Sequence, residues 1–222
     1  MQIIWRGQSF FQIITAQAKD APVSLAIDPF SDDLGLKVPE VTADIVLITH
    51  DHSDHNNLKA IKGSPFVIDG PGEYEIKDVY IQGIPAFHDK SLGRERGRVT
   101  IYTIESEDIR VCHLADFGQK ELFSEQIEDL GLVDILLIPV GGNHTIDSQE
   151  ASKIISQIEP KIVIPMHYQL PKLRPPAGGK LDGLDKFLKV MGEKASEPLP
   201  KLTIKQKDLP AEGMKTIILR AQ

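Results

Sequence analysis

Thr49-His50-Asp51-His52-Ser53-Asp54-His55 packs three imidazoles and two carboxylates into seven residues, directly after the apolar run Asp44-Ile45-Val46-Leu47-Ile48. A β-branched run of that length reads as a buried strand, so the chain leaves a sheet core and turns where the histidines begin. Residues two apart on an extended segment point the same way. His50 and His52 can therefore grip one metal ion while Asp54 and His55, past the bend, face a second. Nitrogen and carboxylate donors suit Zn²⁺, Mn²⁺ or Fe, with Zn²⁺ the first expectation, and do not suit a thiolate metal. A histidine-rich surface loop is the bland alternative, but the chain has only seven histidines in all.

The other histidines and aspartates sort by their place at strand ends. His167 follows Lys161-Ile162-Val163-Ile164-Pro165-Met166, and His88 follows Ile84-Pro85-Ala86-Phe87. Both would emerge at the edge where His50 emerges, as further ligands. Asp116 ends the run Val111 to Ala115 and could bridge two cations; a turn-forming aspartate before Gly118 is its alternative. Asp28 ends the run Val23 to Ile27 and reads as a carboxylate that orients a ligand histidine. His113 reads as a supporting or packing histidine, and His144, in Gly141-Gly142-Asn143-His144, as a loop residue facing substrate or water.

The two halves of the chain rhyme. Asp44-Ile-Val-Leu-Ile matches Asp134-Ile-Leu-Leu-Ile, each a short interval after a strand-ending carboxylate, Asp28 or Asp116. Two copies of a sheet-plus-helix unit predict an α/β protein, a four-layer αββα sandwich of two pseudo-repeated halves. Strands are expected at Ile3 to Trp5, Phe10 to Thr15, Leu202 to Lys205 and Thr216 to Leu219. Helices are expected near Lys120 to Leu130, over Ser148 to Ile158, and, past a Pro/Gly segment from Pro171 to Gly179, over Leu181 to Met191. A chain of 222 residues with 41% hydrophobic content can bury a substantial core, and residues 1–222 read as a single domain.

A net charge of −7 argues against a broad surface for nucleic acid or anionic membrane. The single cysteine, Cys112, excludes an intrachain disulfide and reads as a buried small hydrophobe. The N-terminus lacks the basic and apolar regions of a leader, and no run of about eighteen apolar residues occurs. The expectation is a cytoplasmic protein with a small-molecule substrate and no membrane partner, with a homo-oligomer left open.

In residue types and order the chain resembles the metallo-β-lactamase superfamily of metal-dependent hydrolases, in particular its compact, ascorbate-6-phosphate lactonase-like branch. His50-x-His52-x-Asp54-His55 matches the signature loop, His88 the next histidine, Asp116 the bridging aspartate and His167 the last histidine. Trp5-Arg6-Gly7-Gln8-Ser9-Phe10 resembles the N-terminal segment of the branch, which carries His where this chain has Gln8 and Gly where it has Ala115. The resemblance implies His50, His52 and His88 on one metal, Asp54, His55 and His167 on the other, and Asp116 between them. The interval from Asp116 to His167 is too short for the extra domain of the superfamily's long nucleases.

Two cations about 3.5 to 4 Å apart can share a water, lower its pKa and present hydroxide to a carbonyl or phosphorus. Asp54 is expected to hold its metal and to orient the attacking water or accept its proton. Lys90, Arg94, Arg96 and Arg98 form a cationic loop after His88; Arg94 and Arg96 could clamp an anionic substrate group, or be ordinary solvated charges. The first expectation is therefore hydrolysis of a small ester, lactone or related compound that can carry an anionic group. The alternatives are a phosphodiesterase or small nuclease on the same metals, and a non-hydrolytic di-iron or metal-dependent binding protein.

Overall fold

The computed structural model describes residues 1–16, 21–174 and 179–222. It opens with β1 (Gln2–Gly7), β2 (Phe10–Thr15) and β3 (Val23–Ile27), then β4 (Val41–Thr42), β5 (Ile45–Leu47), β6 (Ile61–Lys62) and β7 (Phe66–Ile68). A run of longer strands follows: β8 (Gly72–Ile76), β9 (Val79–Phe87), β10 (Arg98–Ser106) and β11 (Ile109–His113). The rest alternates α1 (Ser124–Leu130), β12 (Ile135–Pro139), α2 (Ser148–Ile158), β13 (Ile162–Met166) and α3 (Leu184–Met191), ending in β14 (Leu202–Thr203) and β15 (Lys215–Thr216).

Two sheets form, in the orders β14-β1-β2-β3-β5-β7 and β15-β13-β12-β11-β10-β9-β8, beside a small β4-β6 pair. In the first, β1, β2 and β3 are antiparallel and β5 and β7 continue parallel to β3. In the second, β9, β10 and β11 are antiparallel and β12 and β13 continue parallel to β11. This is the pseudo-repeat, and it extends to side chains. Asp44 accepts a bond from the Ser24 amide at 3.0 Å and pairs with Lys77, while Asp134 accepts one from the Arg110 amide at 3.0 Å and pairs with Lys161.

Period-two alternation divides the first sheet between two apolar layers. Phe11, Leu25, Ile27, Ile45 and Leu47 face the second sheet within the main core. Phe10, Ala26 and Val46 face away, into a smaller cluster with Phe30, Leu34, Leu173 and Leu181. The parallel strands β12 and β13 are buried at every position, as expected of apolar runs covered on both faces. Helices α2 and α3 add Ile154, Ile155, Phe187 and Leu188 to the main core. The result is the expected sandwich, but its outer layers are unequal. Among the described residues every α-helix lies in the second half, and loops with short 3₁₀ turns cover the first sheet.

Several boundaries move. Helix α1 starts at Ser124 rather than near Lys120, and α3 starts at Leu184 rather than Leu181 because the Asp182 amide and carbonyl are bonded instead to Gly141 and Gln169. Strand β11 ends at His113, since Ala115 adopts a left-handed φ of 55°. Of the expected Pro/Gly segment, residues 175–178 lie outside the described residues. The long strand β10 and most of β7 to β9 had no counterpart in the sequence reading. Pro85 hides β9, yet it lies beyond the pairing with β8, which ends at Gly83, so its missing N–H costs no ladder bond on that side.

Candidate metal centre

Strands β1, β3 and β5 run in one direction within their sheet, as do β9, β11, β12 and β13 in theirs, so their C-terminal ends share an edge. Bonds from the Thr100 amide to Thr49 O, at 2.9 Å, and from the Tyr102 hydroxyl to Ile48 O, at 3.0 Å, bring the two edges together. Every chemically loaded residue emerges there: Gln8 after β1, Asp28 after β3, His50 after β5, His88 after β9, Asp116 after β11 and His167 after β13. Gln8, Asp28, Ala115 and His167 all hold positive φ, between 51° and 55°, a backbone that non-glycine residues seldom adopt outside over-determined sites.

Two glycines permit the close approach. A Cβ on Gly118 would lie 2.4 Å from the carbonyl of His88, and one on Gly141 2.1 Å from the carbonyl of His167. Any side chain at either position would push a histidine-bearing strand end away.

The side chains form two adjoining groups. His50, His52 and His88 offer one set of donor atoms, and Asp54, His55, Asp116 and His167 another, the atoms of each set lying within 4.8 Å of one another. Asp116 Oδ2 stands at the junction, 3.3 Å from His55 Nε2, 3.3 Å from His167 Nε2 and 3.6 Å from His88 Nε2. Its other oxygen, Oδ1, accepts a bond from the Ser9 hydroxyl at 3.2 Å.

A hydrogen-bond relay centred on Asp28 sets the tautomers. Asp28 is completely buried and accepts from the Thr49 amide at 2.8 Å, the Thr49 hydroxyl at 2.7 Å and His55 Nδ1 at 2.9 Å. Because the Thr49 hydroxyl spends its proton on Asp28, its oxygen accepts from His50 Nδ1, 2.9 Å away. One carboxylate thereby places Nδ1–H on both His50 and His55 and turns both Nε2 atoms inward.

That arrangement fits a cation. His55 Nε2 is buried with no hydrogen-bond partner, yet it faces Asp54 Oδ2 at 3.4 Å and Asp116 Oδ2 at 3.3 Å. A lone pair opposed to two carboxylate oxygens is stable only with a positive charge between them, supplied by a proton or a metal ion. Burial opposes charge on His55, but Asp116, Asp28 and Asp54 overcome it and hold the imidazole well above its ordinary pKa. His167 is likewise raised, burial being outweighed by Asp116. Burial raises Asp116 itself, but His167 and His55 hold it well below the usual carboxylate range. In the other group burial pushes His50 and His88 down, leaving neutral imidazoles, the form that ligates metal.

The remaining expected residues divide. His113 is buried with both nitrogens engaged, Nε2 with Ser9 O at 2.9 Å and Nδ1 with the Ala115 amide at 3.1 Å. It bolts the β1–β2 turn to the Asp116 turn. His144 and Arg96 line a cavity of about 260 Å³ above the two groups, together with Gln8, Asp54 and Leu181. Arg94 does not line it and is exposed. Residue chemistry alone gives Gln8, Ser9 and Thr49 no role, although the polar pair in Gly7-Gln8-Ser9-Phe10 marks a turn between two apolar strands. Gln8 donates from Nε2 to Asp54 Oδ2 at 3.5 Å, and its buried Oε1 has no partner.

Comparison with known proteins agrees with this architecture. Residues 2–167 match the family model of the β-lactamase superfamily domain. A UPF0173 protein of Pyrococcus abyssi is 33% identical over 76% of this chain and 83% of its own length. A UPF0173 metal-dependent hydrolase of Thermococcus onnurineus is 28% identical over 88% of this chain and 94% of its own. The crystal structure of a proposed Zn-dependent hydrolase of the metallo-β-lactamase superfamily from Thermotoga maritima superposes with a TM-score of 0.75, at 32% identity and 98% coverage of both chains. The chain belongs to the metallo-β-lactamase superfamily of metal-dependent hydrolases.

Proposed function

We propose that this chain hydrolyses a small ester, lactone or related carbonyl compound with two divalent cations, Zn²⁺ first among them. His50, His52 and His88 would hold one cation and Asp54, His55 and His167 the other, with Asp116 shared. The observation that carries this reading is Asp116 Oδ2, which lies within 3.6 Å of imidazole nitrogens from both groups. When bound, such a pair of cations lowers the pKa of water and polarises a substrate oxygen.

The protein's own groups do the positioning. Asp28 and Thr49 fix the imidazole tautomers, and Ser9 steadies the second oxygen of Asp116. Asp54 borders the cavity, where its carboxylate can orient a water and accept its proton. Gln8, which lines the same cavity, donates to Asp54 Oδ2. The cavity, at about 260 Å³, falls below the roughly 300–1,000 Å³ of drug-sized sites and suits a small molecule. The net charge of −7 disfavours a polyanionic strand, which needs a long cationic track. Among the described residues no helix is long and apolar enough to cross a membrane, which is compatible with action on a cytoplasmic metabolite.

The test is metal content per chain by plasma mass spectrometry, paired with turnover of lactone, aryl ester and phosphodiester panels. Near two metals per chain, with carbonyl turnover abolished in His50→Ala and Asp116→Ala, is the expected result. Inability to bind metal after reconstitution, or turnover confined to phosphodiesters, would overturn it.

A further inference from the structure

We infer that Arg96 is a specificity residue that recognises a compact oxyanion, a carboxylate or a phosphate monoester, on the substrate's far end from the metals. This rests on the proposed hydrolase reading and deepens it.

Of the four cations in the loop after His88, Arg96 differs from the others. Lys90 pairs with Glu150 and is exposed, and Arg94 and Arg98 are exposed. Arg96 is half-buried and lines the same cavity as His52, Asp54, His88 and Asp116. Among the described residues no carboxylate forms an ion pair with its guanidinium. A guanidinium turned into a cavity without a counter-ion leaves donors whose natural acceptor is a ligand oxyanion.

The loop carrying Arg96 is built to hold it. Asp89 accepts four backbone amides: Ser91 at 2.8 Å and Gly93 at 3.0 Å on Oδ1, Glu95 at 3.1 Å and Arg96 at 2.8 Å on Oδ2. Gly97 closes the loop onto Gly93 O at 3.0 Å, and the His88 amide bonds Gly97 O at 3.1 Å. The loop is thus anchored to the backbone of His88 at the metal centre. His144, which lines the same cavity, places its Nε2 3.0 Å from Arg96 Nη2. An arginine is always a donor, so His144 accepts there and uses one of the five guanidinium N–H groups, leaving the rest for a ligand.

The test compares mono-4-nitrophenyl glutarate with 4-nitrophenyl hexanoate on metal-loaded protein, the two differing in the distal charge, with the protein-free release of nitrophenolate, which the glutarate's own carboxylate accelerates, subtracted for each ester. The wild type should favour the glutarate, and Arg96→Gln should lower the glutarate-to-hexanoate ratio of kcat/KM by roughly tenfold to a hundredfold, mainly through KM. Arg96→Lys should recover part of the ratio, and Arg94→Gln, outside the cavity, should leave it unchanged. A wild-type ratio of one or less, or a ratio equally lost in Arg94→Gln, would overturn the inference while leaving the hydrolase reading intact. If neither ester turns over, the hydrolase reading is decided by metal content and by the lactone and phosphodiester panels, and calorimetric titration with glutarate and with ethyl phosphate decides about Arg96. At least tenfold weaker binding in Arg96→Gln supports the inference and equal affinity overturns it; the stronger of the two probes identifies the anion class.

Discussion

His55 Nδ1 lies 2.9 Å from Asp28 Oδ2, and through Thr49 the same carboxylate reaches His50. Two imidazoles from different candidate ligand groups thus take their orientation from one buried residue that belongs to neither group. Asp28→Asn isolates this effect, because asparagine tolerates the positive φ of 51° found there while losing one of the acceptor oxygens. We expect metal affinity to fall about 10- to 100-fold, measured by competition with a chromogenic chelator. Wild-type affinity in a folded Asp28→Asn protein would show that the relay is dispensable.

The electrostatics give metal loading a definite pH dependence. Because Asp116 holds His55 and His167 above their ordinary pKa despite burial, protonation stabilises the chelated protein. That stabilisation is complete below an unfolded-state pKa of about 6.5 and is lost as pH rises through the raised folded-state values. A cation held by His55 and His167 would displace the same protons, so its stabilisation would grow across the same window. The melting-temperature gap between Zn²⁺-loaded and EDTA-treated protein, at fixed free metal, should therefore widen from pH 6 to pH 8. A narrowing gap would contradict the assignment of His55 and His167 as ligands.

Strain at the Asp116 turn can be read from Ala115, fully buried with φ of 55°. Ala115→Val adds a β-branch in a left-handed conformation and should cost about 1–3 kcal/mol in urea unfolding. Ala115→Gly relieves the conformation but adds unfolded-state entropy, and should stay within about 1 kcal/mol of wild type. Equal stability of all three proteins would mean that the turn relaxes away from this backbone.

A thiol probe provides an independent check on the core. Cys112 is buried in the second sheet, and burial pushes its pKa up, so its thiolate form is suppressed. Ellman's reagent should fail to label the native protein and should label it on unfolding in guanidinium, without releasing metal before the fold is lost. Rapid labelling of the native protein, or metal loss on labelling, would refute this placement.

The local pattern of the chain was sufficient for the elements that end at the site. Apolar runs closed by His50, Asp116 and His167 are legible because parallel strands buried on both faces leave continuous hydrophobic stretches, and a strand end is a short-range feature. The end of β9 was legible as the run Ile84 to Phe87 that delivers His88, but its first part and β10 were not, since Gly83 and Pro85 break the usual alternation and only the pairing of β9 with β10 makes sense of them. The supporting contacts were hidden for another reason. Ser9 reaches Asp116 across 107 residues, Gln8 reaches Asp54 across 46 and Arg96 reaches His144 across 48. Sequence by itself determined which residue types stand at the strand ends, because backbone period and hydrophobicity act locally. Tertiary structure alone decided which of those ends converge, how Asp28 orients two imidazoles at once, and which of four neighbouring cations faces the cavity, because these depend on the packing of one sheet edge against the other.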